Sequence, residues 1–470
     1  MKKIVWTILI FLAVLPMLAA GGAGEKAAAP GPGDAVTIRI VAKDFPASEP
    51  ANVALLRNVE KGFEAWAGQK ISLELVPVPE GAYAEKLNLM LLGGDIPDLI
   101  YFQGGDEVIA NQGLLVDMGP YIAKSEVMQK ALMDFNKQRM ANYPYLLWLA
   151  PPRARTTVMR EDWFREAGGK IPVTVDDYYN LFAAVKKNHP GAAVVTDTGN
   201  TDRMDFTFNQ AFGVTATWLK ENGQLVYSKV SSAEKAKLAF YQKLFREGIL
   251  DPDYVTTTWD VMEDKFYTGR TAAVFGTAGT VLDIYENKLK ENQNVGLVAL
   301  PPAKGVSQGY AVSSAKETRG WAISATSAHP DLVFKLLEFL ATDEGQYLDR
   351  YGIEGTHYNL VNGKVVFTEE KANWWPHFHE VMGWKAPTPL LGPAGQKSWD
   401  YIQQYAVGDP DFPIPEELSP VWDALGNLYK EYSYKIISGE YGIDKFDEFV
   451  SQWYRLGGDK VTEYARTMVK

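Results

Sequence analysis

The sequence predicts an α/β fold of two lobes, each a sheet flanked by helices, and three observations carry that prediction. Its 470 residues exceed what one hydrophobic core organises, roughly 100 to 200 residues, so two domains are expected. Strand-like and helix-like segments alternate from Val36 onward, the pattern of a mainly parallel sheet covered on both faces. A second block of the same alternation begins after Pro151 and Pro152, where the chain is expected to cross between lobes.

The first 35 residues stand apart. Lys2 and Lys3 precede an apolar run from Ile4 to Leu18 and then small residues, the order of a secretory signal, followed by a Gly/Ala/Pro-rich tail. Export is therefore expected, to the periplasm or outside the cell, with a soluble product after cleavage; the alternative is that the run stays as an anchor. With 0 cysteines in the chain, disulfides, thiolate metal sites, cysteine nucleophiles and thioether lipidation are all excluded.

Then the elements begin. VTIRIVAK alternates Ile38 and Ile40 with Thr37 and Arg39, and ISLELVP repeats the pattern, so both read as strands around the helically spaced NVALLRNVEKGFEAW. LNLMLLGGDIPDLIYF reads as a helix stopped by Gly93 and Gly94, a turn at Pro97 and a buried strand ending at Phe102. In the second block Thr174 caps a helix with Asp177 three residues later, and the segments AAVVT, KAKLAFYQKLFREG, AAVFG and NVGLVALPP continue the alternation. Beyond them, GWAISA reads as a strand, and Val333, Leu336, Leu337 and Leu340 form one stripe of a helix. A second helix there ends at Gly352.

Charge and composition narrow the function. A net charge of -11 repels phosphate backbones and anionic membranes, which argues against nucleic-acid binding. The 13 tryptophans must be buried or employed in contacts. No P-loop, nucleophile or zinc motif appears in the sequence.

In order, LNLMLLGGDIPDLIYF with NQGLLVDMGPYI, VMREDWFREAGGKIPVTVDDYYNLFAAVK, FYTGRTAAVFG, SAHPDLVFKLLEFLATDEGQYLDRYGIEGTHY and DKFDEFVSQWYRLGG resemble the extracellular solute-binding proteins of ABC importers. The resemblance is to solute-binding protein family 1, above all its large oligosaccharide-binding branch, and runs from about Val36 to the C-terminus. It implies the periplasmic-binding-protein fold, two hinge-linked lobes enclosing a ligand, with no catalytic role and with membrane permease subunits as partners. It also implies the lobe division: residues 36–150 with 301–352 in the first lobe, and 151–300 with 353–470 in the second. The chain departs from the family in two places. NHPGAAVVTDTG stands where some members carry a calcium loop, so calcium is not carried over, and Ala278 stands near a position that is aromatic in maltose-type relatives.

Sugar recognition needs flat apolar surfaces for ring C–H faces and planar polar groups for hydroxyls. That recipe selects Phe102 and Gln103 at a strand end, and Arg153 among the arginines of PPRARTTVMREDW, whose fork can take two hydroxyls or a carboxylate. It also selects Asp202 and Arg203 before a helix, although capping explains Asp202 as well. Trp259, Trp321, Trp374, Trp375 and Trp384 are the stacking candidates, with Trp384, Trp259 and Trp321 chosen first; Trp374, Trp375 and Trp384 lie in the aromatic segment KANWWPHFHEVMGWKAP. His357, three residues from Glu354 in YGIEGTHYNL, could contact ligand or brace the hinge. His377 and His379 without a third ligand read as surface residues, so no metal and no cofactor is expected.

The expected function is capture of a sugar, an oligosaccharide by the resemblance, by a monomer that delivers it to a permease. The competing reading is a secreted glycoside hydrolase, whose carboxylate pair would occupy a similar aromatic cleft.

Overall fold

The computed structural model describes residues 35–78, 82–315, 318–381 and 383–469; the expected signal segment lies outside them. The strands, in chain order, are β1 (Val36–Val41), β2 (Ile71–Leu75), β3 (Leu99–Gln103), β4 (Arg155–Arg160), β5 (Ala193–Val195), β6 (Trp218–Glu221), β7 (Gln224–Tyr227), β8 (Thr271–Thr277), β9 (Leu297–Leu300), β10 (Tyr310–Ser313), β11 (Arg319–Ile323), β12 (Tyr358–Val361), β13 (Lys364–Phe367) and β14 (Ala406–Asp409).

Two four-stranded sheets organise the lobes, one in the order β11-β3-β1-β2 and one in the order β5-β8-β4-β9. Sequence alternation sets their faces: Ile38, Ile40, Leu73 and Leu99 point into one core with the helix stripe Val333, Leu336, Leu337 and Leu340. The second lobe buries a larger set, including Phe182, Phe208, Tyr241 and Phe275. The expected capping box at Thr174 and Asp177 is present, each side chain accepting from the other residue's backbone N–H.

The sheets are mixed rather than mainly parallel, and the cause lies in where the chain enters each lobe. β1 pairs in parallel with β2 and β3, but β11 runs antiparallel to β3. In the other sheet β5 and β8 are parallel, while β4 opposes both β8 and β9. Both odd strands follow a crossing: β4 comes directly after the Trp148–Ala154 segment, and β11 follows β10. They start at the face between the lobes and run away from it, whereas their neighbours end there.

The crossing is pinned to the first sheet by a pair of bonds, Leu147 N–H to Trp321 O at 2.8 Å and Trp321 N–H to Leu147 O at 2.9 Å. Gly320 permits this approach, because a Cβ there would lie 2.5 Å from Leu147 O. Leu147 belongs to the first core and Ala154 to a core beneath the second sheet, so the chain changes lobe within seven positions. It passes back between β10 and β11, and out again between Trp384, packed on the first core, and Ala394, buried in the second lobe. The segment Trp374, Phe378 and Val381 packs on the first core.

Candidate functional site

Strand geometry explains the first wall of the cleft. Side chains alternate across a sheet, so β3 sends Tyr101 and Gln103 to the cleft and Phe102 to the opposite face. Phe102 is accordingly fully buried in a core with Leu87, Ile100 and Ile109. The register then sets Arg319, at the start of β11, directly opposite Gln103, and Trp321 opposite Tyr101.

The floor is the crossing itself, from Trp148 to Ala154, with Arg153 exposed to the cleft. The Arg319 guanidinium lies over the Trp148 ring at 4.7 Å, a cation–π contact that holds both groups at the cleft edge. The second-lobe wall comes from Ala278 and Thr280 at the end of β8 and from Trp399 in the helix Pro393–Tyr405. Ala278 supplies no ring, and Trp399 brings one beside it. Gly279 makes room for that ring: its φ is +72°, and a Cβ would sit 2.1 Å from Trp399 Nε1. The remaining side is the loop Trp375–Glu380, and the enclosed cleft measures about 380 Å³.

That loop is held from behind by the helix Asp343–Tyr351. Asp349, fully buried, accepts from the backbone N–H groups of His377 at 2.8 Å and Phe378 at 2.9 Å, while its own carbonyl accepts from the Trp374 indole at 2.7 Å. Gln346, one turn earlier, accepts from Val381 N–H at 2.9 Å and donates to His379 O at 3.1 Å. Burial pushes the Asp349 carboxyl up to about 7, against the pull of the two N–H groups and Arg350. His377 stacks flat on Phe45 at 4.0 Å, and His379 is buried. Both histidines therefore correct the surface placement expected of them. Burial alone lowers them, His377 to about 4 and His379 to about 3, so they are neutral packing groups near neutral pH.

Arginine gathers behind the floor. Arg155 opens β4, paired with Thr277 of β8, and its pKa falls to about 9, first through burial and then through Arg153, Arg203 and Arg319. Arg203, in the helix Asp202–Phe212, lies 4.1 Å above the Trp259 ring and 3.8 Å from Asp197. Asp197 is itself buried and raised to about 7, with the N–H groups of Met204 and Thr198 and then Arg203 drawing it back.

The other residues singled out by sequence fall elsewhere. Asp202 exchanges hydrogen bonds with Asn200 and faces a second cavity of about 480 Å³, which Arg153 also borders. The neighbouring Asp205 is paired there with Lys229 at 2.6 Å and Lys237 at 2.8 Å. Trp321 is 1% exposed, donates to Phe378 O, stacks on the Phe378 ring and lies tilted against Tyr101, behind the cleft wall. Trp384 packs edge-on against Tyr351 and under Arg350. His357 accepts from Ile353 N–H through Nδ1 at 2.9 Å and lies against Trp374, so it braces its own turn. Of the nine candidates chosen first, Gln103 and Arg153 line the cleft directly, as does Trp375.

Among the cleft residues that escaped the sequence selection are Tyr101, Trp148, Arg319 and Trp399. Tyr101 and Trp148 carried a usable signal, since Tyr101 alternates with the buried Phe102 and Trp148 immediately precedes the prolines of the crossing. Arg319 and Trp399 become cleft residues only through long-range pairing. Among the described residues there is no cluster of three or more His, Cys, Asp or Glu side chains able to hold a metal ion, and no helix long and apolar enough to cross a membrane.

Known proteins share this architecture. The chain is 22% identical over 430 residues to the polygalacturonan/rhamnogalacturonan-binding protein YtcQ of Bacillus subtilis, covering 83% of this chain and 84% of that one. Its fold is similar to that of the alginate-binding protein AlgQ2 without calcium ion, with TM-score 0.63, 18% identity and coverage of 92% of this chain and 97% of the other. It is also similar to an HMO-binding, ABC-transporter-associated solute-binding protein from Bifidobacterium longum infantis, with TM-score 0.65, 18% identity and coverage of 91% and 97%. The family model of the bacterial extracellular solute-binding proteins matches residues 47–347, and the chain belongs to that family.

Proposed function

We propose that the protein captures an oligosaccharide between its lobes and passes it unchanged to the permease of an ABC importer. The observation that carries this reading is the composition of the cleft: the rings of Tyr101, Trp148, Trp375 and Trp399 alternate with the planar polar groups of Gln103, Arg153 and Arg319. Rings offer flat apolar faces to sugar C–H groups, and amide and guanidinium edges match vicinal hydroxyls. The volume of about 380 Å³ is that of an ordinary ligand pocket. The named ligands of the relatives, polygalacturonan or rhamnogalacturonan, alginate and HMO, support a chain of sugars rather than a single ring.

Gln103 and Arg153 would touch the ligand, and Arg203 with Trp259 would back them. Phe102, Trp321, His357 and Trp384 would act from behind by fixing the walls, and Asp202 by fixing the edge of the neighbouring cavity. Closure would turn on the three passages between the lobes, with the first lobe holding residues through about 390 apart from the second-lobe block at 151–313. The receptor would act as a monomer. Ligand closes such a hinge only through tighter binding to the closed form.

The glycosidase alternative does not fit a family of non-catalytic receptors. A thermal-shift panel of oligosaccharides, with mass spectrometry of what is recovered, tests the proposal. A raised melting temperature with the saccharide intact supports it, and cleaved product refutes it.

A further inference from the structure

Resting on the carbohydrate reading, we infer that Arg350 is a positioning residue for the cleft: a first-lobe cation in contact with two indoles, it fixes the Trp399 ring on which the saccharide stacks and ties that ring to the setting of the lobes. Arg350 lies in the last turn of the helix Asp343–Tyr351 and is 6% exposed. Its guanidinium carbon is 5.4 Å from the centre of the Trp384 ring and 5.8 Å from that of Trp399. Trp384 packs on the first core, whereas Trp399 belongs to the second-lobe helix Pro393–Tyr405 and lines the cleft. The two rings stand before and after the third passage between the lobes, and Arg350 meets both.

The same helix turn grips the passage itself. Tyr351 Oη donates to Thr388 O at 2.9 Å and accepts from Thr388 N–H at 2.8 Å. From the second lobe, Asp283 in the helix Thr280–Gln293 accepts from Gly392 N–H at 3.1 Å through both oxygens. The passage is thus fastened at its middle by one lobe and at its end by the other.

Burying an arginine here has a cost. Its Nε is buried without an acceptor. The adjacent Asp349 supplies counter-charge, but its oxygens accept from the N–H groups of His377 and Phe378. The neighbouring Lys371 is lowered to about 8, by burial first and then by Arg350. A guanidinium so placed draws stabilisation from ring faces, on which its planar fork stacks as an ammonium cannot. Trp399 is boxed in from its own lobe by Gly279, where a Cβ would lie 2.1 Å from Nε1. Arg350 makes the contact from the other lobe, so the plane of the ring depends on where the first lobe stands. By linkage, a saccharide stacked on that ring favours the arrangement in which Arg350 meets it.

The test is a double-mutant cycle on the full chain, read by calorimetric titration with trimers of glucose, galactose, galacturonate and mannuronate, the tightest being carried through. Arg350→Met should weaken that trimer about three- to thirty-fold in the parent, and less than about two-fold where Trp399→Leu has already removed the ring. Arg350→Lys, which keeps the charge without the planar fork, should fall between parent and Arg350→Met. Fluorine NMR of the ligand-free chain labelled with fluorotryptophan, its Trp399 line identified by its loss in Trp399→Leu, should show that line shifted in Arg350→Met. Circular dichroism and thermal melting identify a variant that fails to fold; if Arg350→Met does, the cycle and the line are read with Arg350→Lys, where the same changes are expected at smaller size.

An equal loss of affinity in both backgrounds, no loss, or an unmoved Trp399 line overturns the inference, and the carbohydrate reading survives. If no trimer binds the parent, both fall.

Discussion

Removal of the Asp349 carboxylate should detach the cleft loop. That side chain accepts from two buried backbone N–H groups, His377 at 2.8 Å and Phe378 at 2.9 Å. Asp349→Ala orphans both donors, and each costs about 1–3 kcal/mol when buried and unmade, so the expected loss is about 2–6 kcal/mol. Asp349→Asn retains one carbonyl oxygen and should lose about half as much. The Trp374 indole bonds to the main-chain carbonyl of Asp349 and survives either change, which confines the damage to residues 377 and 378. Urea unfolding at pH 8 measures the stability, and titration with the best saccharide of the panel measures the site. Affinity should fall with stability, since the loop forms one side of the cleft. An Asp349→Ala protein within 0.5 kcal/mol of the parent would refute the idea that this carboxylate holds the loop, because ordinary surface changes are already of about that size.

Other outcomes follow from the same structure. Trp375, 48% exposed on the cleft loop, should lose about five- to thirty-fold in saccharide affinity on change to alanine, with stability unchanged, whereas Trp321→Ala should cost about 3–5 kcal/mol in urea because it empties a core site. His357→Ala should leave the dissociation constant as it was and lower stability by about 1–3 kcal/mol, read by the same two assays, since its Nδ1 serves Ile353 N–H. Gly279→Ala should destabilise by about 1–3 kcal/mol and alter the fluorescence of Trp399, whose ring fills the space a Cβ needs. The acidity of Asp349 gives a pH test with a fixed sign. Burial raises its folded pKa to about 7 from 3.8, so folding takes up a proton between those values, and the parent's stability relative to Asp349→Asn should fall as pH rises through that window. A flat difference between pH 4 and 8 would contradict it.

The fold was legible because its signals are local. Period-two alternation marks β1 and β2, Gly93 and Gly352 stop helices, and Thr174 with Asp177 starts one. The direction of strands was less so, because β4 and β11 oppose their neighbours for a reason of connectivity that no window of sequence contains. The site was harder still. Gln103 could be read from its place at a strand end, and Arg153 from the prolines before it, but Arg319 reaches the cleft through pairing with a strand more than two hundred residues away. Tryptophan content misled where rings serve as struts: Trp321 and Trp384 face the core side, while Trp399 lies in a helix that gave no sign of its neighbour Gly279. The histidines of the aromatic segment were misplaced because burial there depends on Asp349 and Gln346, which sit in another helix.

Within the described residues, the chain passes between the lobes at three separated places. One tether would let the halves swivel like a ball on a string, and two would still allow a sideways shear. With three, relative motion is reduced towards opening and shutting about a single axis, and a protease nick in any one of them leaves the halves joined by the other two.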